Sequence, residues 1–169
     1  LQLPNAVFET DLTQGELKSS GYDEVSFLIS MNPGESPKPL HKVASGGELS
    51  RLMLGLKTIF TGLQGIELVI FDEIDSGVSG SVAVSIGQKM AEISETAQVF
   101  AVTHLASVAA WANNHYQVSK QQDATTTTTS ICHLDETKRI EEMALIASGK
   151  VTESSLSAAK ELYDSVKRK

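Results

Sequence analysis

The stretch Leu68-Val69-Ile70-Phe71-Asp72-Glu73 joins four consecutive apolar residues to two carboxylates. An apolar run of this length is typical of a strand buried on both faces of a parallel sheet. A second run, residues 98–102, ends at Thr103-His104, and residues 81–94 between the two runs carry apolar side chains at helical spacing. Because a strand, a helix and a strand in this order form a right-handed crossover unit, the sequence predicts an α/β fold with a parallel core.

The carboxylates Asp72 and Glu73 stand at the carboxyl end of the first predicted strand, where open α/β sheets bind their ligands. Four apolar residues followed by Asp-Glu form a Walker B pattern. In this pattern Asp72 is suited to hold Mg²⁺ through water, and Glu73 to polarise the water that attacks a γ-phosphate. His104 follows the next parallel strand at the same edge, so its imidazole is placed to donate to a γ-phosphate oxygen. Taken singly, these residues are also explained by an ordinary turn and by a capping or packing histidine.

A phosphate site is predicted where Ser45-Gly46-Gly47-Glu48 opens a helix whose apolar residues recur at helical spacing from Leu49 to Leu63. One interpretation is a capping box, in which Ser45 and Glu48 satisfy reciprocal backbone donors. Two glycines in a first turn cost about 1 kcal/mol each relative to alanine, so they need a reason. Bare N–H groups at the positive end of a helix dipole let a phosphate approach closely. We therefore predict that these four residues bind nucleotide.

The loop Asp75-Ser76-Gly77-Val78-Ser79-Gly80 follows the carboxylates directly and is rich in small residues. Such a turn permits close approach of another backbone, whether that of a ligand or of a partner. We predict that Asp75, Ser76, Gly77 and Ser79 belong to a contact surface.

Composition excludes several classes of protein. The chain has 169 residues, 41% of them apolar and 21% charged, with a net charge of −7 from 14 basic and 21 acidic residues. This charge repels a phosphate backbone, so DNA contact by this piece alone is not expected. Apolar runs are far too short to span a bilayer, and one cysteine excludes an internal disulfide. Because Leu1-Gln2-Leu3-Pro4 shows neither an initiator Met nor a signal peptide, we expect a cytoplasmic segment of a longer protein.

Four stretches follow along the chain. Residues 1–31 are predicted to hold two strands, residues 32–44 form a Pro-rich loop without regular structure, residues 45–135 carry the motifs, and residues 136–169 are helical. In the third stretch, two strands near residues 115–120 and 125–134 follow a short helix, the second beginning in the run Thr125 to Thr129. We read that run as an exposed strand, with unstructured low complexity as the alternative.

The order of the motifs resembles the C-terminal half of an ABC-type ATPase head, with a signature sequence, a Walker B motif, a D-loop and a switch histidine. The strings Lys42 to Arg51, Phe71 to Gly80 and Val102 to Leu105 closely resemble the RecN branch of the SMC-like ATPases, in which ATP-controlled head dimerisation serves recombinational repair of DNA double-strand breaks. Position 44 is alanine where the broader ABC signature has leucine, which favours this branch over a transporter.

The resemblance implies that this chain is the second lobe of a head whose first lobe is joined to it through a long antiparallel coiled coil. It implies ATP and Mg²⁺ as cofactors, a homodimer of heads around two ATP molecules, DNA as a partner of the complete protein, no membrane, and a nucleoid-associated location. Ser45, Gly46 and Gly47 would reach the γ-phosphate on the opposite subunit. Asp72, Glu73 and His104 would serve ATP in their own head, and the loop from Asp75 to Gly80 would cross the dimer interface.

One motif of the family is absent from the sequence. No Gly-x-x-x-x-Gly-Lys-Ser/Thr occurs anywhere in the chain, and this loop is the element that grips the phosphates in such ATPases. We therefore predict that the chain alone binds ATP poorly and does not hydrolyse it.

Two other function classes stay open. A self-contained metal phosphohydrolase or nuclease would place Asp72, Glu73, Asp75 and His104 around a divalent ion, but it leaves the glycine pair at residues 46–47 unexplained. A non-catalytic interaction module would use the helix after residue 45 as a docking surface.

Overall fold

The computed structural model describes residues 5–43, 46–72, 74–78, 80–123 and 125–167, without the side chains of residues 43–50. The strands are β1 (Val7–Lys18), β2 (Gly21–Ser30), β3 (Lys38–Pro39), β4 (Leu68–Asp72), β5 (Gln98–Val102), β6 (Tyr116–Gln122) and β7 (Thr127–His133). The helices are α1 (Leu40–Val43), α2 (Gly46–Gln64), α3 (Gly80–Ser94), α4 (Ala106–Ala109), α5 (Glu136–Ser148) and α6 (Glu153–Lys167).

The strands β4 and β5 pair in parallel, one residue to one residue, from Leu68 opposite Gln98 to Asp72 opposite Val102. Helix α3 connects them, as the predicted crossover unit requires. The α/β class and the parallel pairing expected from the sequence are confirmed. Within the described residues the parallel sheet has these two strands, and the other sheets, β1-β2-β3 and β6-β7, are antiparallel.

The expectation that β4 is buried on both faces is wrong. Val69 is 7% exposed and packs in the core with residues of α2 and α3, whereas Ile70, on the opposite face, is 66% exposed. The reason is that the described helices contribute to the core on one face of the sheet only. Because alternate residues of paired strands point to the same face, the two strands share one exposed apolar face, here called the bare face. Its exposed apolar residues are Leu68, Ile70, Phe100 and Val102.

The first stretch forms a longer hairpin than the sequence predicts. β1 and β2 pair over most of their length, with an irregularity between Gln14 and Lys18, and the rings of Phe8 and Phe27 stack with centroids 5.7 Å apart. The Pro-rich loop was expected to lack regular structure, yet it contains β3, which pairs with Leu28 and Ile29, and helix α1. Proline is compatible with this position because β3 lies at the edge of its sheet.

A second core lies between α4, α5 and α6, with buried Ala106, Met143, Ala144 and Tyr163 at its centre. Helix α5 begins at Glu136, where Asp135 Oδ1 accepts a hydrogen bond from Lys138 N at 2.9 Å. It ends before Gly149, whose φ of 72° is the left-handed conformation typical of a helix C-terminus. Both C-terminal helices lie within residues 136–169, the stretch predicted to be helical.

The hairpin β6-β7 has a threonine-rich tip. The strand predicted from Thr125 begins two residues later, because the Asp123 carboxylate accepts hydrogen bonds from the backbone of Thr125 and Thr126 and holds them in the turn. The rest of the run is exposed strand, as predicted. No helix in the described parts of the chain is long and apolar enough to cross a membrane.

Candidate functional site

The carboxyl ends of β4 and β5 bring two of the predicted site residues to one edge of the sheet. Asp72 is the last residue of β4 and lies opposite Val102, on the bare face. His104 comes two residues after Val102, and its side chain is 65% exposed. Asp72 is exposed as well. Glu73 lies outside the described residues, so its predicted position beside them stays a prediction.

Asp75 is the buried centre of this edge. Its side chain is fully buried, and the Thr103 hydroxyl donates a hydrogen bond to its Oδ2. The backbone N–H of His104 donates to the same oxygen at 3.3 Å. The N–H of Leu105 in turn donates to Thr103 Oγ1 at 3.0 Å. One carboxylate from the loop after β4 therefore holds the loop after β5.

The imidazole of His104 is turned toward the same carboxylate. His104 Nδ1 lies 3.5 Å from Asp75 Oδ1, which is at the limit of hydrogen-bond distance. Asp75 Oδ1 has no hydrogen-bond partner among the described residues. With Nδ1 on the Asp75 side, Nε2 is the ring nitrogen left to meet a ligand.

The loop after β4 differs in one respect from its predicted role as a contact surface. Asp75 faces the protein interior, so its side chain is not an exposed contact, whereas Ser76 and Gly77 are exposed. Gly77 has a φ of 70°, a conformation that favours glycine. Ser79 lies outside the described residues. Of the predicted contact residues that the structure describes, Ser76 and Gly77 are therefore the exposed ones.

The predicted phosphate-binding turn is described only in part. The backbone of Gly46, Gly47 and Glu48 forms the first turn of α2, so the helix begins where the glycines predicted it. Ser45 and the side chain of Glu48 lie outside the described residues. The choice between a capping box and a phosphate site stays a prediction.

The donor set at this edge fits a weakly held Mg²⁺. Mg²⁺ keeps several waters and is bound through one or two carboxylates together with substrate phosphates. The exposed Asp72 carboxylate offers such a ligand. Asp75 does not, because its carboxylate is enclosed by Thr103 and His104. Among the residues that the structure describes, no three His, Cys, Asp or Glu side chains come together as a metal cluster.

Sequence reasoning missed Thr103, which bonds Asp75 at this edge, and Arg139, which bonds the end of helix α4. Arg139 is 5% exposed, and its Nη2 donates to the carbonyl oxygens of Ala109, Ala110 and Ala112 at 2.9, 3.1 and 2.5 Å. Burial lowers the pKa of Arg139, although a guanidinium stays charged at neutral pH. The available signal was a basic residue next to Ile140 and near Met143 on an apolar helix face.

The amino-acid sequence of the chain is similar to those of curated DNA repair proteins. The chain is 47% identical over 157 residues to DNA repair protein RecN of Halalkalibacterium halodurans, covering 92% of the chain and 28% of that protein. It is 44% identical over 158 residues to RecN of Bacillus subtilis, covering 91% and 27%. For RecN of Vibrio cholerae the identity is 41% over 165 residues, covering 96% and 30%. The chain thus spans about three-tenths of the length of these relatives. No family model matches it.

Solved structures with the same fold are SMC heads. The Smc head domain with a coiled coil and joint from Pyrococcus yayanosii has a TM-score of 0.69 at 19% identity, covering 88% of this chain and 27% of that one. A chain from a study of ATP-driven dimerization and DNA-stimulated activation of SMC ATPases has a TM-score of 0.61 at 17% identity, covering 89% and 84%. The sequence is therefore homologous to one segment of the RecN proteins, and its fold is that of an SMC head.

Proposed function

We propose that this chain is the C-terminal lobe of an ATP-hydrolysing, SMC-like head that acts in recombinational repair of DNA double-strand breaks. The observation that carries the proposal is the parallel register, which brings Asp72 and the loop of His104 to one edge of the sheet. The RecN relatives support the repair role, and the SMC heads support the type of head.

Each residue at the edge has a role in this proposal. Asp72 holds Mg²⁺ through water, and Glu73 takes a proton from the attacking water. Mg²⁺ held there would neutralise charge that develops on the transferred phosphoryl group. His104 donates from Nε2 to a γ-phosphate oxygen. Its Nδ1 faces the Asp75 carboxylate, which leaves Nε2 for this contact.

A second lobe that carries Walker A covers the bare face of β4 and β5. Four exposed apolar side chains on that face would otherwise be left in water, and Asp72 lies on the same face. A partner on this face therefore buries Ile70 and Phe100 and approaches the Asp72 carboxylate in the same contact. The relatives are more than three times as long as the matched segment, which leaves room for this lobe and for a coiled coil.

Two such heads close around two ATP molecules. Ser45, Gly46 and Gly47 bind the γ-phosphate of ATP on the opposite head, and Ser76, Gly77 and Ser79 lie at the interface. With a net charge of −7, this lobe does not supply the main DNA contact, which lies elsewhere in the complete protein. The protein acts in the cytoplasm on the nucleoid.

The test is Mg²⁺-dependent ATP hydrolysis by this chain alone and after co-expression with the segment that contains Walker A. We expect activity in the pair and none in the chain alone. In the pair, Glu73→Gln should lower kcat by about 10²-fold or more, since it removes the general base. Glu95→Gln is the control, because Glu95 is exposed and lies in the turn after α3.

Two results would overturn the proposal. One is hydrolysis by the lone chain after rigorous purification, which would indicate a complete enzyme of another kind. The other is full activity of the pair with Glu73→Gln. Cleavage of DNA by the lone chain that is lost with Asp72→Asn would establish the metal phosphohydrolase instead.

A further inference from the structure

The segment of residues 103–112, which carries His104 and helix α4, is held at its first end by Asp75. Thr103 and the N–H of His104 both donate to Asp75 Oδ2. Within the segment, Val108 N and Ala109 N each donate to Leu105 O at 3.0 Å. The start of the segment is therefore tied to the loop after β4, and the helix that follows is built on Leu105.

Arg139 of α5 holds the other end. Its guanidinium donates to three carbonyl groups at the last turn and exit of α4, from residues 27 to 30 positions earlier. Carbonyl groups at a helix C-terminus have no partner within the helix, and a cation there is favourable. A single buried nitrogen, Arg139 Nη2, thus lies against three carbonyl oxygens at the end of the short helix, one of which, Ala109 O, also accepts from Ala112 N at 3.2 Å.

The guanidinium of Arg139 also packs against an aromatic ring of α6. Arg139 Cζ lies 4.6 Å from the centroid of the Tyr163 ring, so α6 backs the group that bonds α4. Lys167 Nζ lies 4.3 Å from the same centroid and also pairs with Glu136, but no hydrogen bond joins it to α4. Lys167 therefore provides a matched comparison, since it shares Tyr163 with Arg139 and lacks the contact with the segment.

We propose that Arg139 is a positioning residue for His104, which it holds in place through helix α4. This inference rests on the proposed function, in which His104 contacts the γ-phosphate. Arg139 itself contacts neither substrate nor metal. Because α4 has only four residues and begins two positions after His104, displacement of its C-terminal end shifts the loop that carries the imidazole.

The first test is amide hydrogen exchange in this 169-residue chain. With Arg139→Met, we expect exchange of the His104 and Leu105 amides to rise about tenfold, because the distant anchor no longer restrains them. Lys167→Met should change the same amides by less than about twofold. Arg139→Lys keeps the charge but not the planar fork, so it should give an intermediate rise, and it carries the test should Arg139→Met fail to fold.

Two exchange results would overturn the inference. A rise confined to the amides of Ala110, Trp111 and Ala112 would make Arg139 a local cap of α4. An equal rise throughout β4, β5 and α3 would make it a general support of the fold.

The second test separates this inference from the proposed function. In the complete protein, Arg139→Met should lower kcat for ATP about tenfold with KM within about twofold, and should lower it no further when His104→Ala is already present. Additional loss in the double variant would overturn the inference. If exchange at His104 rises while kcat holds, or rises in a protein that does not hydrolyse ATP, the catalytic role of His104 fails and the anchoring by Arg139 stands.

Discussion

The Thr103 hydroxyl donates a hydrogen bond to the buried Asp75 carboxylate, 28 positions earlier in the chain. This bond joins the loops that leave two neighbouring parallel strands, and the N–H of Leu105 uses the same Thr103 oxygen as its acceptor. The geometry of the sheet edge therefore depends on a pair of side chains that do not themselves face a ligand.

Replacement of Thr103 by valine keeps the shape of the side chain and removes its hydroxyl. The Asp75 carboxylate then loses a donor inside the protein, and Leu105 N loses its acceptor. We expect the free energy of unfolding to fall by about 1–3 kcal/mol, as measured by urea denaturation of this chain. Thr103→Ser retains the hydroxyl and should lose less than half of that amount. Equal stability of Thr103→Val and the wild type would contradict the contact.

Two glycines on helices make opposite predictions for substitution by alanine. A Cβ at Gly87 of α3 would overlap the Trp111 ring, so overpacking should lower the free energy of unfolding by about 1–3 kcal/mol. At Gly62 of α2 a Cβ meets nothing within 4 Å, and alanine should raise stability by up to about 1 kcal/mol. Thermal unfolding of both variants checks the difference, and a stabilising Gly87→Ala would contradict the packing of Trp111.

Adjacent strand residues Val69 and Ile70 should respond differently to threonine. Val69→Thr buries a hydroxyl in the core and should cost about 1–3 kcal/mol, whereas Ile70→Thr changes an exposed side chain and should stay within about 0.5 kcal/mol. If a second lobe covers this face, Ile70→Thr should weaken its binding, which titration with the purified lobe measures. Similar stabilities of the two variants would contradict the exposure of Ile70 on the bare face.

His115 should make the chain less stable in mild acid. Burial lowers the pKa of this imidazole in the folded chain, and the nearby Arg139 lowers it further. The unfolded chain therefore takes up a proton first, near pH 6.5. Stability should be complete above that pH, fall as pH decreases through it, and level off below the folded pKa. Urea denaturation between pH 8 and 5 checks this, and His115→Gln should reduce the decrease. An unchanged slope in that variant would assign the effect elsewhere.

Much of the fold follows from local sequence, and the exceptions have physical causes. Apolar spacing located α2 and α3, and short apolar runs located β4 and β5, because these signals act within a few residues. The number of faces that a sheet buries depends instead on what packs against it, which is why the apolar run at Leu68 was misread. β3 was missed because two residues paired at a sheet edge leave no periodic pattern.

In the candidate site, too, local sequence predicts some residues and long-range contacts determine others. Asp72 and His104 were placed at one edge from strand order alone, since parallel strands share their carboxyl ends. The roles of Thr103 and Arg139 arise from contacts between residues some 28 positions apart, which no local pattern specifies. Ser45, Glu73 and Ser79 lie outside the described residues, so their predicted roles stay predictions.

The one-to-one register of β4 and β5 restricts where the length of such a chain can vary. Side chains alternate between the two faces of the sheet. One residue added within Leu68–Asp72 would therefore move the side chains that follow it to the opposite face and expose apolar core residues to solvent. One residue added to the turn at residues 95–97 leaves both strands in phase. Insertions and deletions in homologous chains should therefore occur in the connections between elements. The two strands should accept substitutions but keep their number of residues.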